Sequence, residues 1–340
     1  MADYVTQTVS SGPPRAFHAR SPKPAQILAD RRPSATELVS LEAFHHPSVS
    51  VMNPGAAPKP MHDPVAPKVL EVPGGKISYE EGGQGRPIVL LHEGIADRRM
   101  WNREFPLLAR EHRVVRYDLR GYGGSTPATS EYSPVRDLVA LLDHLGLTQP
   151  LIVGPSVGGK IALDLTLAHP GRVGALLLIA PGYSGMDYDH VPGGKATFAR
   201  DEELSKAAAD AWAAGKLEEA TEHLRQLWAS SLTGSALDLF RTMVRDNAKE
   251  VFEERSGRYE TREGGPAAAR LKEIRVPTRI LVGDRDNPAM PHCANFLARG
   301  IAGAKVQLVL GADHLLNLSR PDAFDSALRG FVASLLASRE

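Results

Sequence analysis

The chain has 340 residues, 42% hydrophobic and 24% charged, the make-up of an ordinary soluble globular protein with room for a substantial core. Forty basic residues balance forty acidic ones, so nothing marks a nucleic-acid or anionic-membrane surface, and a single cysteine, Cys293, excludes an internal disulfide and cysteine-rich zinc sites. No apolar run approaches the ~20 residues of a membrane helix, and the N-terminus lacks a basic start followed by an apolar stretch, so a soluble, cytoplasmic protein is expected.

Residues 1–67 hold eleven of the 26 prolines and are expected to form a proline-rich extension with little regular structure. Its one helix-like patch, Ser34 to Phe44, opens with Ser34 and Glu37 in capping-box spacing. Four arginines there suggest a transit peptide, but Asp3, Asp30, Glu37 and Glu42 argue against an acid-poor leader. Met52 and Met61 are alternative translation starts.

From Lys68 the pattern changes. Lys68 to Val72 and Lys76 to Glu80 flank Pro73-Gly74-Gly75 as a hairpin. Pro87 to His92 is a continuous apolar run, the mark of a strand buried on both faces. A helix is expected from about Arg98 to Arg110, a strand from Arg113 to Leu119, and a helix from Asp137 to Leu145. Leu151 to Val153 is again strand-like, and the run breaks at Gly154-Pro155-Ser156-Val157-Gly158 before restarting as a helix over Ile161 to His169. Val173 to Ala180 is another buried strand. The alternation implies a mostly parallel sheet with helices on both faces. Between about Gly185 and Gly265 only helix-like segments occur, at 203–214, 217–230 and 237–245, which reads as an inserted helical cap. Strands return at Thr278 to Gly283 and Lys305 to Leu310, and a helix from Pro321 to about Ala337 ends the chain.

Gly154, Ser156 and Gly158 fit G-x-S-x-G, a sharp strand-to-helix turn that lifts a serine hydroxyl above the sheet. Side chains at the two glycine positions would collide as the backbone doubles back. The same stretch, Gly154 to Lys160, spells the first part of a phosphate-binding loop, but Ile161 stands where a hydroxyl should hold magnesium.

The run from about Lys68 to the C-terminus resembles the α/β-hydrolase family, whose chain order is Ser, then Asp or Glu after a late strand, then His after the last strand. Gly283-Asp284-Arg285-Asp286-Asn287-Pro288 resembles its acid loop and Gly311-Ala312-Asp313-His314 its histidine loop. The resemblance implies an α/β core over 68–184 and 266–340 with a cap over 185–265. It implies Ser156 as nucleophile, His314 as base and Asp286 as triad acid, with Asp284 the competing choice. The oxyanion is expected to take the backbone N–H groups of Val157 and Gly94. Asp313 is expected to be solvated or structural, His92 to shape the oxyanion loop, and Trp101, Met100, Trp212 and Trp228 to be core residues. Glu93 departs from the glycine common after this histidine; a carboxylate there would oppose an oxyanion, so it is expected to face out.

The implied reaction is acyl transfer on a carboxylic ester, thioester or lactone of a small organic molecule, without cofactor or metal. From histidine's reference pKa of about 6.5, activity is expected to rise through roughly pH 6 to 7. A serine at the turn argues against the dehalogenase and epoxide hydrolase branches, which use aspartate there. His92-Glu93-Gly94 lacks the glycine-proline pattern of proline iminopeptidases. Carbon–carbon bond hydrolases and cofactor-free perhydrolases share the triad and stay open, as does a non-catalytic ligand receptor. Substrate identity and oligomeric state are not written in the sequence.

Overall fold

A computed structural model describes residues 66–186, 194–253 and 256–337. The extension read at 1–67, with its 34–44 helical patch, lies outside the described residues but for its last two. The centre is an eight-stranded sheet: β1 (Lys68–Val72), β2 (Gly75–Gly82), β3 (Arg86–Leu90), β4 (His112–Tyr117), β5 (Leu151–Pro155), β6 (Ala175–Ile179), β7 (Thr278–Gly283) and β8 (Lys305–Val309). Their order is β1-β2-β4-β3-β5-β6-β7-β8. The β1–β2 and β2–β4 pairs are antiparallel and all others parallel. Connections reverse direction between β3 and β5, which opens a crevice beyond the carboxyl ends of those two strands, the usual ligand position in such sheets.

The continuous apolar runs follow from burial on both faces. Side chains alternate along a strand, so Val89, Ile152, Leu176 and Leu178 join one core with α2 (Pro134–His144), α3 (Ser156–Ala168) and α9 (Met290–Gly300). Ile88, Leu90, Val153 and Leu177 point the other way, into a core with α1 (Glu104–Leu108), α10 (Leu316–Ser319) and α11 (Pro321–Ala337). Each fully buried Leu or Ile contributes roughly 2 kcal/mol of transfer free energy. Pro134 at the first position of α2 and the Ser133 hydroxyl, accepting from the Arg136 N–H, set that helix's start.

Two helical assignments differ from expectation. The single helix read over 98–110 is a 3-10 turn at Arg98–Trp101, capped by Asp97, followed by the short α1, in which Pro106 has no N–H to donate. The helix α9 has no counterpart in the sequence reading; Pro291 stands within its first two positions, where its missing N–H costs nothing. Between β6 and β7 lie α4 (Gly194–Ala213), α5 (Leu217–Trp228), α6 (Gly234–Asp246), α7 (Ala248–Glu253) and the one-turn α8 (Ala267–Arg270). α5 and α6 carry their apolar residues on one face, and Leu224, Phe240 and Val244 build a third core with Leu315 from the segment after β8. No helix among the described residues is long and apolar enough to cross a membrane.

Candidate active site

At the end of β5 the chain turns directly into α3. Ser156, the first residue of that helix, has φ +44°, in the left-handed region that side chains avoid, at a cost of about 1–3 kcal/mol. Glycines make the turn possible. A Cβ on Gly154 would lie 2.5 Å from the Gly158 carbonyl, and one on Gly158 would lie 2.8 Å from both the His92 carbonyl oxygen and Leu91 Cβ. The first N–H groups of α3, Val157 among them, have no intrahelical acceptor and favour a negative charge in front of them. Lys160 is held by Glu260 at 3.1 Å and Asp164 at 3.3 Å, so the phosphate-loop reading loses its cation as well as its hydroxyl.

Asp286 follows β7 and His314 follows β8, and the parallel pairing of those strands brings the two loops together. His314 Nδ1 lies 3.1 and 3.0 Å from the two Asp286 carboxylate oxygens. A carboxylate only accepts, so Nδ1 carries the hydrogen and, in the neutral ring, Nε2 offers its lone pair. Asp284 is exposed and accepts from the Gly311 N–H at 2.5 Å, tying the acid loop to the histidine loop without touching the imidazole. Asp313 is buried, not solvated. Its Oδ2 accepts from the Ser231 N–H at 2.7 Å and fastens the histidine loop to the segment between α5 and α6. The Asn287 side chain donates to Asp201 of α4, a second tie of that kind. Burial by itself would lower the His314 pKa, but the Asp286 carboxylate, reinforced by Glu93 and Asp313, pushes it up to about 9. That places its deprotonation above the range of pH 6 to 7 expected from an unperturbed ring.

Glu93 corrects the expectation that it faces out. It is 2% exposed and lines a cavity of about 580 Å³ together with Gly94, Ser156, Val157, Trp228 and His314. Its Oε2 lies 3.9 Å from His314 Nε2, and its Oε1 has no hydrogen-bond partner. Backbone geometry turns it inward. The Glu93 carbonyl accepts from His92 Nδ1 at 2.7 Å and from the Ala96 N–H at 3.3 Å, and His92 Nε2 accepts from the Leu119 N–H at 2.8 Å. Those two bonds fix the His92 tautomer, and burial lowers its pKa, so it is a neutral strut for the loop. The Glu93 carboxyl is pushed up to about 7 by its own burial, with Asp313 and Asp286 adding to the rise against the pull of His314. A carboxyl raised in this way carries less negative charge near neutral pH than an ordinary one.

Gly94 sits against Val157, where a Cβ would lie 3.3 Å from Val157 Cγ2, and its carbonyl accepts from the Tyr122 hydroxyl at 2.6 Å. Ser156 and His314 face the same cavity but are not hydrogen-bonded to each other.

A family model described as "Alpha/beta hydrolase family" matches residues 88–327. The chain belongs to the alpha/beta hydrolase family. This hydrolase is 28% identical over 271 residues to "Putative carbamate hydrolase RutD" of Azorhizobium caulinodans, covering 76% of this chain and 95% of that protein. It is 24% identical over 261 residues to "3-oxoadipate enol-lactonase 2" of Acinetobacter baylyi, covering 74% of this chain and 91% of the other. Over a shorter stretch of 136 residues, 38% of this chain and 47% of the other, it is 32% identical to "2-hydroxymuconate semialdehyde hydrolase" of a Pseudomonas species. A thermophilic esterase from Thermogutta terrifontis superposes with a TM-score of 0.63 at 22% identity, over 79% of this chain and 99% of that one, a likeness of fold.

Trp228 and Tyr117 are among the cavity residues of this hydrolase that were not recognised as such from its sequence. Trp228, read as core, lies against the His314 ring, 4.6 Å between centroids, and lines the cavity. Its place at the end of α5 was visible; what it packs on was not. Tyr117, at the end of β4, lines the cavity with a buried hydroxyl that has no hydrogen-bond partner. Trp101 and Met100 are core, as expected, and Trp212 stacks on Phe252.

Proposed function

We propose that this hydrolase cleaves a carboxylic ester, thioester or lactone of a small organic molecule through an acyl-enzyme on Ser156. The observation that carries the reading is the cavity that joins Ser156, on its strained turn at the head of α3, to a histidine already paired with Asp286 through Nδ1. His314 Nε2 takes the proton of the Ser156 hydroxyl as Oγ attacks the carbonyl carbon, then returns it to the leaving oxygen or sulfur. The oxyanion is received by the N–H groups of Val157 and Gly94, each worth on the order of 3 kcal/mol. The missing Ser156–His314 hydrogen bond is of the kind that tightens only when substrate is bound.

Residues 185–265 act as a cap over a core of 68–184 and 266–340, supported by the cavity's lining from α4, α5 and α7. Arg120 is the one Arg or Lys among the described lining residues, and it is already taken by Asp137 at 2.8 and 3.0 Å and by the Pro73 and Gly74 carbonyls. An uncharged acyl group therefore fits better than a carboxylate-bearing one. We place the protein in the cytoplasm, acting on a small molecule.

The test is covalent labelling with a fluorophosphonate. Ser156 is expected to be modified in the native protein, and Ser156→Ala is expected to abolish both labelling and p-nitrophenyl ester hydrolysis, a loss of about 10⁶-fold. Labelling that persists in Ser156→Ala removes Ser156 as the nucleophile, and a native protein that neither labels nor hydrolyses removes the reading and leaves a ligand receptor.

A further inference from the structure

We infer that Glu93 seats, together with His314, the water that attacks the acyl-enzyme, so that it serves the hydrolytic half of the reaction and not the acylation half. The inference rests on the proposed role of Ser156.

Three observations converge on it. Glu93 Oε2 stands 3.9 Å from His314 Nε2, too far for a direct hydrogen bond and the span that one water bonded to both atoms at about 2.8 Å would bridge. Asp286 occupies the Nδ1 edge of the ring, which leaves Nε2 as the edge turned to the cavity and therefore the edge at which a water must lose its proton. Glu93 Oε1, in a side chain 2% exposed, has no protein partner, although leaving a buried polar atom unpaired is costly. A buried carboxyl with no hydrogen bond from the described residues, on the wall that holds Ser156, is matched to a ligand that brings a donor, and the bridging water brings one to Oε2 through the hydrogen it does not give to His314.

The step balances without Glu93 gaining or losing a proton. In the acyl-enzyme, Ser156 Oγ is bonded to the acyl carbon. The water oxygen forms a bond to that carbon while one of its protons passes to His314 Nε2; the other hydrogen is held by Glu93 Oε2, which turns the oxygen lone pair toward the carbon. The tetrahedral species collapses by breaking the bond from carbon to Ser156 Oγ, and Oγ takes the proton back from His314. One water and one acyl-serine give one carboxylic acid and the free serine.

The same side chain used as an oxyanion donor would leave a different signature. An oxyanion forms in both half-reactions, whereas water takes part in one. In rapid-mixing measurements with p-nitrophenyl acetate, Glu93→Ala is expected to release a burst of one p-nitrophenol per Ser156 at close to the native acylation rate. Steady turnover then falls on the order of 10²-fold, and acetylated Ser156 is detected by intact mass after an acid quench. Glu93→Gln, whose amide oxygen still accepts, is expected to fall between the native protein and the alanine variant, and it guards against a misfolded alanine variant. Equal losses in burst and steady rates in both variants overturn the inference in favour of a structural or oxyanion role, and unchanged partitioning overturns it outright. If Ser156 labels with fluorophosphonate while partitioning is unchanged, only the inference about Glu93 falls; if Ser156 does not label, the serine reading falls with it.

Discussion

Two loops at the carboxyl ends of strands each bring a buried carboxyl to the His314 imidazole, and they treat it differently. After β7, Asp286 meets Nδ1 with both oxygens and also accepts from the Asn287 N–H at 2.7 Å. After β3, Glu93 stops 3.9 Å short of Nε2 with one oxygen and leaves the other unpaired. In the second loop no such hydrogen bonds offset desolvation, and the Glu93 carboxyl responds by rising to about 7. The number of donors a loop offers, more than closeness to the histidine, sets what its carboxyl can do.

The comparison breaks most visibly at Asp286. Asp286→Asn keeps the shape but offers an amide that no longer enforces hydrogen on Nδ1, so the ring is free to turn its lone pair away from Ser156. We expect kcat on a p-nitrophenyl ester to fall on the order of 10⁴-fold with little change in thermal unfolding. Asp284→Asn, on an exposed residue that only accepts from Gly311, should change kcat less than tenfold. The reverse ranking would assign the acid role to Asp284.

A smaller effect comes from pH. The working form of His314 is neutral, and its pKa is pushed up to about 9, chiefly by Asp286 against the opposing effect of burial. Activity should therefore keep rising above pH 7 and level only as pH passes about 9. Glu93→Gln removes one carboxylate from the set that holds the proton on the ring, so the rising limb of the kcat/KM profile should move to lower pH. A limb that stays in place would mean Glu93 does not sense the imidazole.

How much of this was legible follows from which interactions are local. The central strands β5 and β6 were readable because burial on both faces forces continuous apolar runs, as in Ala175–Ile179, where every residue is buried. The turn at Ser156 was readable because Gly154 is demanded by a backbone contact four residues on, at Gly158, although Gly158 itself is demanded by His92 and Leu91, far off in the chain. The inward turn of Glu93 was not, since it depends on a histidine tautomer fixed by the Leu119 N–H, 27 positions from His92. The expectation of an outward carboxylate applied sound electrostatics to an ionised group and left out the pKa that burial imposes. Trp228 was unreadable for a related reason: its contact with His314 spans two segments that only tertiary packing brings together.

Glu104 is the control that sharpens the comparison. Like Glu93 it is buried, 1% exposed, but it sits in the first turn of α1 near Asp325 and away from the cavity that holds Ser156. Burial, the largest influence, pushes its pKa from 4.5 up to about 8. Between those two values the unfolded chain has released the proton and the folded chain still holds it, so the folded state binds more protons and stability falls as pH rises from about 4.5 to 8. Below that window the group is neutral in both states and costs nothing through ionisation; above it the full penalty is present. Glu104→Gln is neutral throughout, so it should match the native protein near pH 4 and exceed it by about 1–2 kcal/mol at pH 8, read from denaturant unfolding across pH. Its rate profile should keep the native pH dependence, because a glutamate that reaches neither Ser156 nor His314 has no proton to contribute to the chemistry. If Glu104→Gln instead shifts the rate profile as Glu93→Gln does, the two buried glutamates act through a common change in the fold, and the distinction drawn between the cavity carboxyl and the buried one is lost.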